Sequence, residues 1–191
     1  ARKLLESAGW AIKDGVLQNV NGDPFAFEIL LKNTATENEA IMNIYIDALK
    51  RLGIQASIKL ADSVQHRERM KTYDFEMAHY TRYMSLSPGN EQLLYWGSAG
   101  VTAPGTRNYM GISSRAAEGL IAQMLETRDT QTFQSTVRAL DRVLTAGRYV
   151  IPIWHSDISN VAHDARLRYP DTIPTYGDWS GFLPDVWWYE E

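Results

Sequence analysis

Residues 25–60 constrain the fold of this chain more than any other stretch. Phe25-Ala-Phe-Glu-Ile-Leu-Leu31 is apolar enough for the middle of a sheet, where both faces are covered. Thr36-Glu-Asn-Glu39 is a capping box, with Thr36 as N-cap and Glu39 three residues on. Ile41, Ile44, Ala48, Leu49 and Leu52 follow at helical spacing, and Gly53 ends the run. Ile54, Ala56, Ile58 and Leu60 then alternate with the period of a strand. Strand, helix, strand is a βαβ unit. Its crossover is almost always right-handed and leaves the two strands parallel. An α/β fold is therefore expected.

The flanking segments extend this frame. Residues 15–31 read as a hairpin, with arms 16–20 and 25–31 around the turn Asn21-Gly-Asp-Pro24. Residues 62–73 predict a weaker helix capped by Asp62, and 74–80 a strand with Phe75 and Met77 on one face. Two helices follow the next loop. Ala117, Leu120, Ile121, Met124 and Leu125 stripe the first. Thr130 is read as the cap of the second, which Gly147 closes. Residues 149–154 and 159–162 read as strands, with Pro152 marking an edge or a bulge. Beyond 164, Pro170, Pro174, Pro184, Gly177 and Gly181 break any period, and Trp179, Phe182, Trp187, Trp188 and Tyr189 crowd the tail. Two parts are expected: a lobe over 1–163 and a tail over 164–191. The start, Ala1-Arg-Lys-Leu-Leu-Glu-Ser-Ala-Gly-Trp10, reads as the end of an amphipathic helix with no N-cap before it, so the chain is read as a piece of a longer one.

The segment 74–112 carries the functional signal. Its loop has neither helical nor strand period, yet it holds Tyr80, Tyr83, Tyr95, Trp96 and Tyr109, the amides Asn90, Gln92 and Asn108, and the cations Arg82 and Arg107. Loops this long are usually functional or disordered. Disorder goes with few aromatics, so an ordered loop is expected. Aromatic faces beside amides are what a ligand-binding wall is made of. Trp96 alone reads equally well as wall or as core. The net charge of −4 and the lack of a basic block disfavour nucleic acid. The absence of cysteine removes disulfides, thiol catalysis and cysteine metal sites, and is compatible with a bacterial periplasm.

No nucleophile elbow, zincin helix or phosphate loop is present. His155-Ser156-Asp157 has triad residue types, but neighbours on a strand face opposite ways. His66 and Glu68 form H-x-E, yet the cysteines of a zinc deaminase are lacking. The histidines are scattered, so neither a metal nor another cofactor is expected. A carbohydrate-active or other hydrolytic enzyme with an aromatic cleft is the alternative reading. It needs two carboxylates across one cleft, with Asp74, Glu76 and Glu91 as candidates.

Several segments taken in order resemble one family. They are the Gly9-Trp10 helix end, Leu49-Lys-Arg-Leu-Gly-Ile54 and Tyr73-Asp-Phe-Glu-Met77. With them come Ser85-Leu-Ser-Pro-Gly-Asn-Glu-Gln92 with Tyr95-Trp-Gly-Ser98, then Arg107-Asn-Tyr-Met-Gly-Ile112 and Tyr149-Val-Ile-Pro-Ile-Trp-His155. The chain resembles the C-terminal portion of bacterial extracellular solute-binding proteins of family 5, in particular the YejA-like branch. The resemblance implies one lobe of a two-lobed, class II type periplasmic binding protein, with a mixed sheet, flanking helices and an irregular aromatic tail returning to the other lobe. It implies no enzyme. It implies an exported, monomeric protein that captures oligopeptides or a modified peptide and delivers them to an ABC permease. The ligand-binding residues it suggests are Tyr80, Arg82, Tyr83, Ser87, Asn90, Glu91, Gln92, Trp96, Asn108 and Tyr109. One departure stands out. Many peptide-binding relatives place an Asp after the strand at 75–80 to hold the ligand's amino terminus, and this chain has Thr81-Arg-Tyr-Met84. Either Glu91 takes that role, or the other lobe supplies the acid, or the ligand is not a plain free-amine peptide.

Overall fold

The computed structural model of the protein describes residues 1–34, 36–82, 87–155, 158, 160–173 and 186–190. They fall into two compact units, Ala1–Val150 and Ile151–Glu191.

The first unit is built on the predicted βαβ unit. β3 (Ala26–Lys32) pairs in parallel with β4 (Gln55–Ala61), and α2 (Thr36–Lys50) makes the crossover. On its other edge β3 pairs in parallel with the short β5 (Met77–Ala78), giving the strand order β4-β3-β5. β3 is thus the central strand, and Ile29, Leu30 and Leu31 are buried on both faces. One face packs Ile29 against Met42 and Ile46 of α2. The other packs Leu30 and Ala61 against Met70 of α3 (Ser63–Thr72), with Phe75 and Tyr109 alongside. Asp62 caps α3 as expected, accepting the N–H groups of Val64 and Gln65 at 2.8 and 2.9 Å.

The predicted hairpin over 15–31 is corrected. The hairpin lies one turn earlier, between β1 (Ala11–Lys13) and β2 (Val16–Gln18), with Asp14 and Gly15 at positive φ. That Asp-Gly pair is the usual signature of a two-residue turn. Between β2 and the start of β3 only the bridge Gln18 to Pro24 forms. β4 pairs along the whole of β3, and β5 takes Ile29 and Leu30 on the other edge, so no hairpin ladder runs from β2 into β3. Phe75 and Met77 do not share a face either. Phe75 lies before the pleat begins and packs on the α3 side, whereas Met77 packs on the α2 side. α1 (Arg2–Ser7) ends as its sequence suggests: the N–H groups of Gly9 and Trp10 bond back to Glu6 and Leu5 with Gly9 at φ 87°, a Schellman motif.

The loop beyond β5 is more regular than its sequence predicts. It contains α4 (Glu91–Trp96) and a 3₁₀ turn, Ser98–Gly100. α5 (Arg115–Glu126) and α6 (Thr130–Gly147) then pack together through Ala117, Ile121, Met124 and Leu140. The cap of α6 is Asp129, which accepts the Thr132 N–H at 2.7 Å; Thr130 is the first helical residue.

In the second unit, residues 151–155 and 160–162 form no strand, contrary to expectation, and neither do 149–150. Val150, Ile151, Ile153 and Trp154 are exposed. Pro152 offers no N–H, and no described segment pairs with this stretch. The pairing here is instead β6 (Leu167–Arg168) antiparallel to β7 (Trp188–Tyr189). Ser156, Asp157, Trp179 and Phe182 lie outside the described residues.

Candidate functional site

The loop leaves β5 at the C-terminal edge of the parallel strands, the edge where open α/β sheets bind ligands. Three polar anchors hold it. The buried Asn108 side chain donates to the carbonyls of Gly97 and Ile112 at 2.9 and 2.8 Å and accepts the Ile112 N–H at 2.9 Å. Tyr73 at the end of α3 donates its hydroxyl to the Gly100 carbonyl at 2.9 Å and meets the Thr106 hydroxyl. Glu118 of α5 accepts both the N–H and the hydroxyl of Ser98, and these bonds hold its carboxyl below the usual range.

On this frame the predicted residues separate into two groups. Tyr80, Arg82, Trp96 and Tyr109 come together. The Arg82 guanidinium lies over the Tyr95 ring at 3.6 Å, with the Trp96 ring at 4.9 Å and the Tyr80 ring at 5.7 Å. Such contacts attract a cation to the ring face. Tyr109 meets Tyr80 edge to face, with centroids 5.1 Å apart. Burial pushes the Arg82 guanidinium down from its ordinary pKa, and the same cause pushes the Tyr109 phenol up. Arg82 Nε is sealed from water and has no hydrogen-bond partner.

The second group fixes the first. Glu91 opens α4 and accepts the Gly89 N–H at 2.9 Å and the Gln92 side-chain amide at 3.1 Å. Gln92 in turn accepts the Trp96 indole N–H at 2.8 Å. This relay sets the orientation of Trp96. Trp96 also packs against the α5–α6 core. Asn90 is the exposed N-cap residue of α4, and its side chain makes no capping bond. Ser87 is exposed just before α4. The Asn108 amide is fully occupied by the loop backbone. Tyr83 lies outside the described residues.

Sequence reasoning missed the centre of the cluster. Tyr95 is buried, carries Arg82 on its ring and accepts the Arg107 guanidinium on its hydroxyl at 3.1 Å. That bond raises the Arg107 pKa. The loop composition named both residues, but only the turn of α4 shows which way Tyr95 faces.

The three carboxylates tried for hydrolysis are each engaged locally. Asp74 pairs with Arg69 at 3.0 Å, and Glu76 accepts the Glu28 N–H at 2.7 Å among the strand starts. The Gly89 N–H holds the Glu91 carboxyl below its ordinary value, the reverse of what a general acid needs. Among the described residues no three His, Asp or Glu side chains come together as a metal site, and no helix is long and apolar enough to cross a membrane.

Comparison with known proteins agrees with this architecture. Residues 1–103 match the sequence profile of bacterial extracellular solute-binding proteins, family 5 Middle. The y4wM protein of Sinorhizobium fredii is 39% identical over 189 residues, covering 98% of this chain and 28% of that protein. The peptidoglycan-binding protein YepA of Agrobacterium fabrum is 36% identical over 184 residues, covering 96% of this chain and 29% of its own length. The chain thus spans about three tenths of the curated relatives it matches. Among solved structures, a periplasmic oligopeptide-binding protein of Thermotoga maritima with mannohexaose bound superposes with TM-score 0.77 at 18% identity, over 95% of this chain and 35% of that one. The oligopeptide-binding protein AppA of Bacillus subtilis, in complex with a nonapeptide, gives 0.67 at 19% identity, over 78% and 29%. At such identities these structures establish the fold.

Proposed function

Because the chain belongs to the bacterial extracellular solute-binding proteins, family 5, we propose that it is a ligand-binding lobe of an ABC importer's periplasmic capture protein and that its solute is an oligopeptide or a modified peptide. The observation that carries this reading is the ordered cluster of Tyr80, Arg82, Tyr95, Trp96 and Tyr109 at the C-terminal edge of the sheet. Rings held by a buried relay give apolar walls of fixed orientation, which tolerate varied side chains. The exposed Asn90 side-chain amide, which makes no capping bond, is placed to meet a peptide's main chain. In the full-length protein a second lobe completes the cleft and hinge closure traps the solute. The permease then receives it, and the chain carries out no chemistry of its own. The relative's peptidoglycan-binding name and the nonapeptide of AppA both fit a peptide-bearing solute. The mannohexaose complex makes an oligosaccharide the comparison to run.

The test is a thermal-shift screen of the full-length protein against short-peptide pools, peptidoglycan-derived peptides and mannohexaose. A ligand bound only by the native state raises Tm by mass action. A rise with peptides that is lost in Trp96→Ala supports the reading. A rise with mannohexaose alone replaces the substrate.

A further inference from the structure

The described arginine and lysine ion pairs, Lys50 with Asp47, Arg69 with Asp74, Lys71 with Glu68, Arg166 with Asp164 and Arg168 with Glu190, include neither Arg82 nor Arg107. The surroundings of Arg82 are the phenols of Tyr80, Tyr95 and Tyr109 and the Trp96 indole, and its Nε–H is buried without a partner. Arg107 brings a second positive charge to the same phenol, donating to the Tyr95 hydroxyl. A half-buried guanidinium with an unmet Nε–H and no ion-pair partner among the described residues is a costly arrangement for structure alone. It is suited to a planar oxyanion. A guanidinium offers a flat fork of N–H groups that matches a carboxylate in two parallel bonds. The Tyr95 ring lies against the guanidinium at 3.6 Å, with the Trp96 and Tyr80 rings further out at 4.9 and 5.7 Å.

We propose that Arg82 receives a carboxylate of the captured solute, so that this loop binds the acidic end of its ligand and Arg107 supports it electrostatically. The proposal rests on the reading of the loop as a solute wall, and it adds the charge of the solute. It also gives a physical sense to the missing acid after β5: a cation stands in the segment where an amine-binding carboxylate would, so a free amine has to find its partner elsewhere.

The test uses the full-length protein and calorimetry with matched probes: tri-alanine with a free C-terminus, tri-alanine amide, Ala-Glu-Ala amide, and N-acetylglutamate beside its diamide. The wild type is expected to bind a carboxylate-bearing probe at least about tenfold tighter than its neutral counterpart. Arg82→Gln is expected to erase that preference by weakening the carboxylate-bearing probe far more than its neutral counterpart. The free C-terminus and the Glu side chain tell which carboxylate is read. Arg82→Gln without ligand should melt within about 2 °C of the wild type, since it removes an unpaired charge rather than a paired one. If that variant does not fold, Arg82→Lys, which keeps the charge and loses the fork, carries the same comparison. A preference absent from the wild type, a preference that survives in the variant, or an equal loss for acid and amide would overturn the proposal. Peptides binding equally well with and without a carboxylate would leave the capture reading standing and sink this one. A preference shown by N-acetylglutamate alone would support this one and sink the peptide reading.

Discussion

Asn108 shows how much one side chain does in a loop. Its amide closes the turn to Ile112 and ties it to Gly97, so removing it leaves buried backbone groups unpaired. Asn108→Ala should cost roughly 2–4 kcal/mol in urea denaturation. A cost near zero would mean that the loop holds itself by other means. The histidines make a second prediction. Burial, then the charges of Lys32 and His79, hold the His66 imidazole below its ordinary value of 6.5, and burial does the same for His79. Below pH 6.5 the unfolded chain therefore binds more protons than the native one, and stability falls with pH. Tm should decline as the pH falls below 6.5, the ordinary value from which both histidines are lowered, with a shallower decline in His66→Gln. Equal slopes would exclude His66 as the source. Residue types were legible in the sequence here, but pairings were not. Asn108 was expected to touch ligand because exposed and buried amides look alike in a sequence. The value of Tyr95 depends on a helical turn that the loop's lack of period hid.

Elements were legible where local and long-range preferences agree. The βαβ unit and the α5–α6 pair follow from their apolar periods, and α3 from its cap Asp62, whereas Thr36, expected as the N-cap of α2, is its first helical residue. The errors came where a partner decides. Residues 16–31 have the pattern of a hairpin, but β3 is claimed on both edges by parallel neighbours. Residues 149–155 have strand composition and no described partner, and they stay irregular. The cap of α6 was misplaced by one residue because Asp129 and Thr130 both suit the position, and only the bond to Thr132 separates them. That difference is measurable. Asp129→Ala should lose about 1 kcal/mol, and Thr130→Ala should be near neutral. The opposite ranking would return the cap to Thr130. Gly53 is fixed more firmly: at φ 78° its backbone meets β2, and a Cβ there would lie 2.7 Å from the Leu17 nitrogen. Gly53→Ala should therefore destabilise by roughly 2 kcal/mol or more.

At the scale of the whole molecule, the sheet supplies a rigid edge and, on the proposed reading, the loop is the binding segment, the usual division of labour between scaffold and binding loop. α2 and α3 cover the two faces of the sheet, and the α5–α6 pair backs Trp96. The described part of the loop, residues 87–112, is thereby anchored. Prior ordering lowers the entropy lost on binding. The central claim is that solute meets the protein at this loop. The most direct test is hydrogen exchange on the full-length protein, with and without the tightest-binding peptide of the pools. The account predicts slowed exchange at amides within 80–112. Slowing confined to other segments, with 80–112 unchanged at saturating ligand, would contradict it.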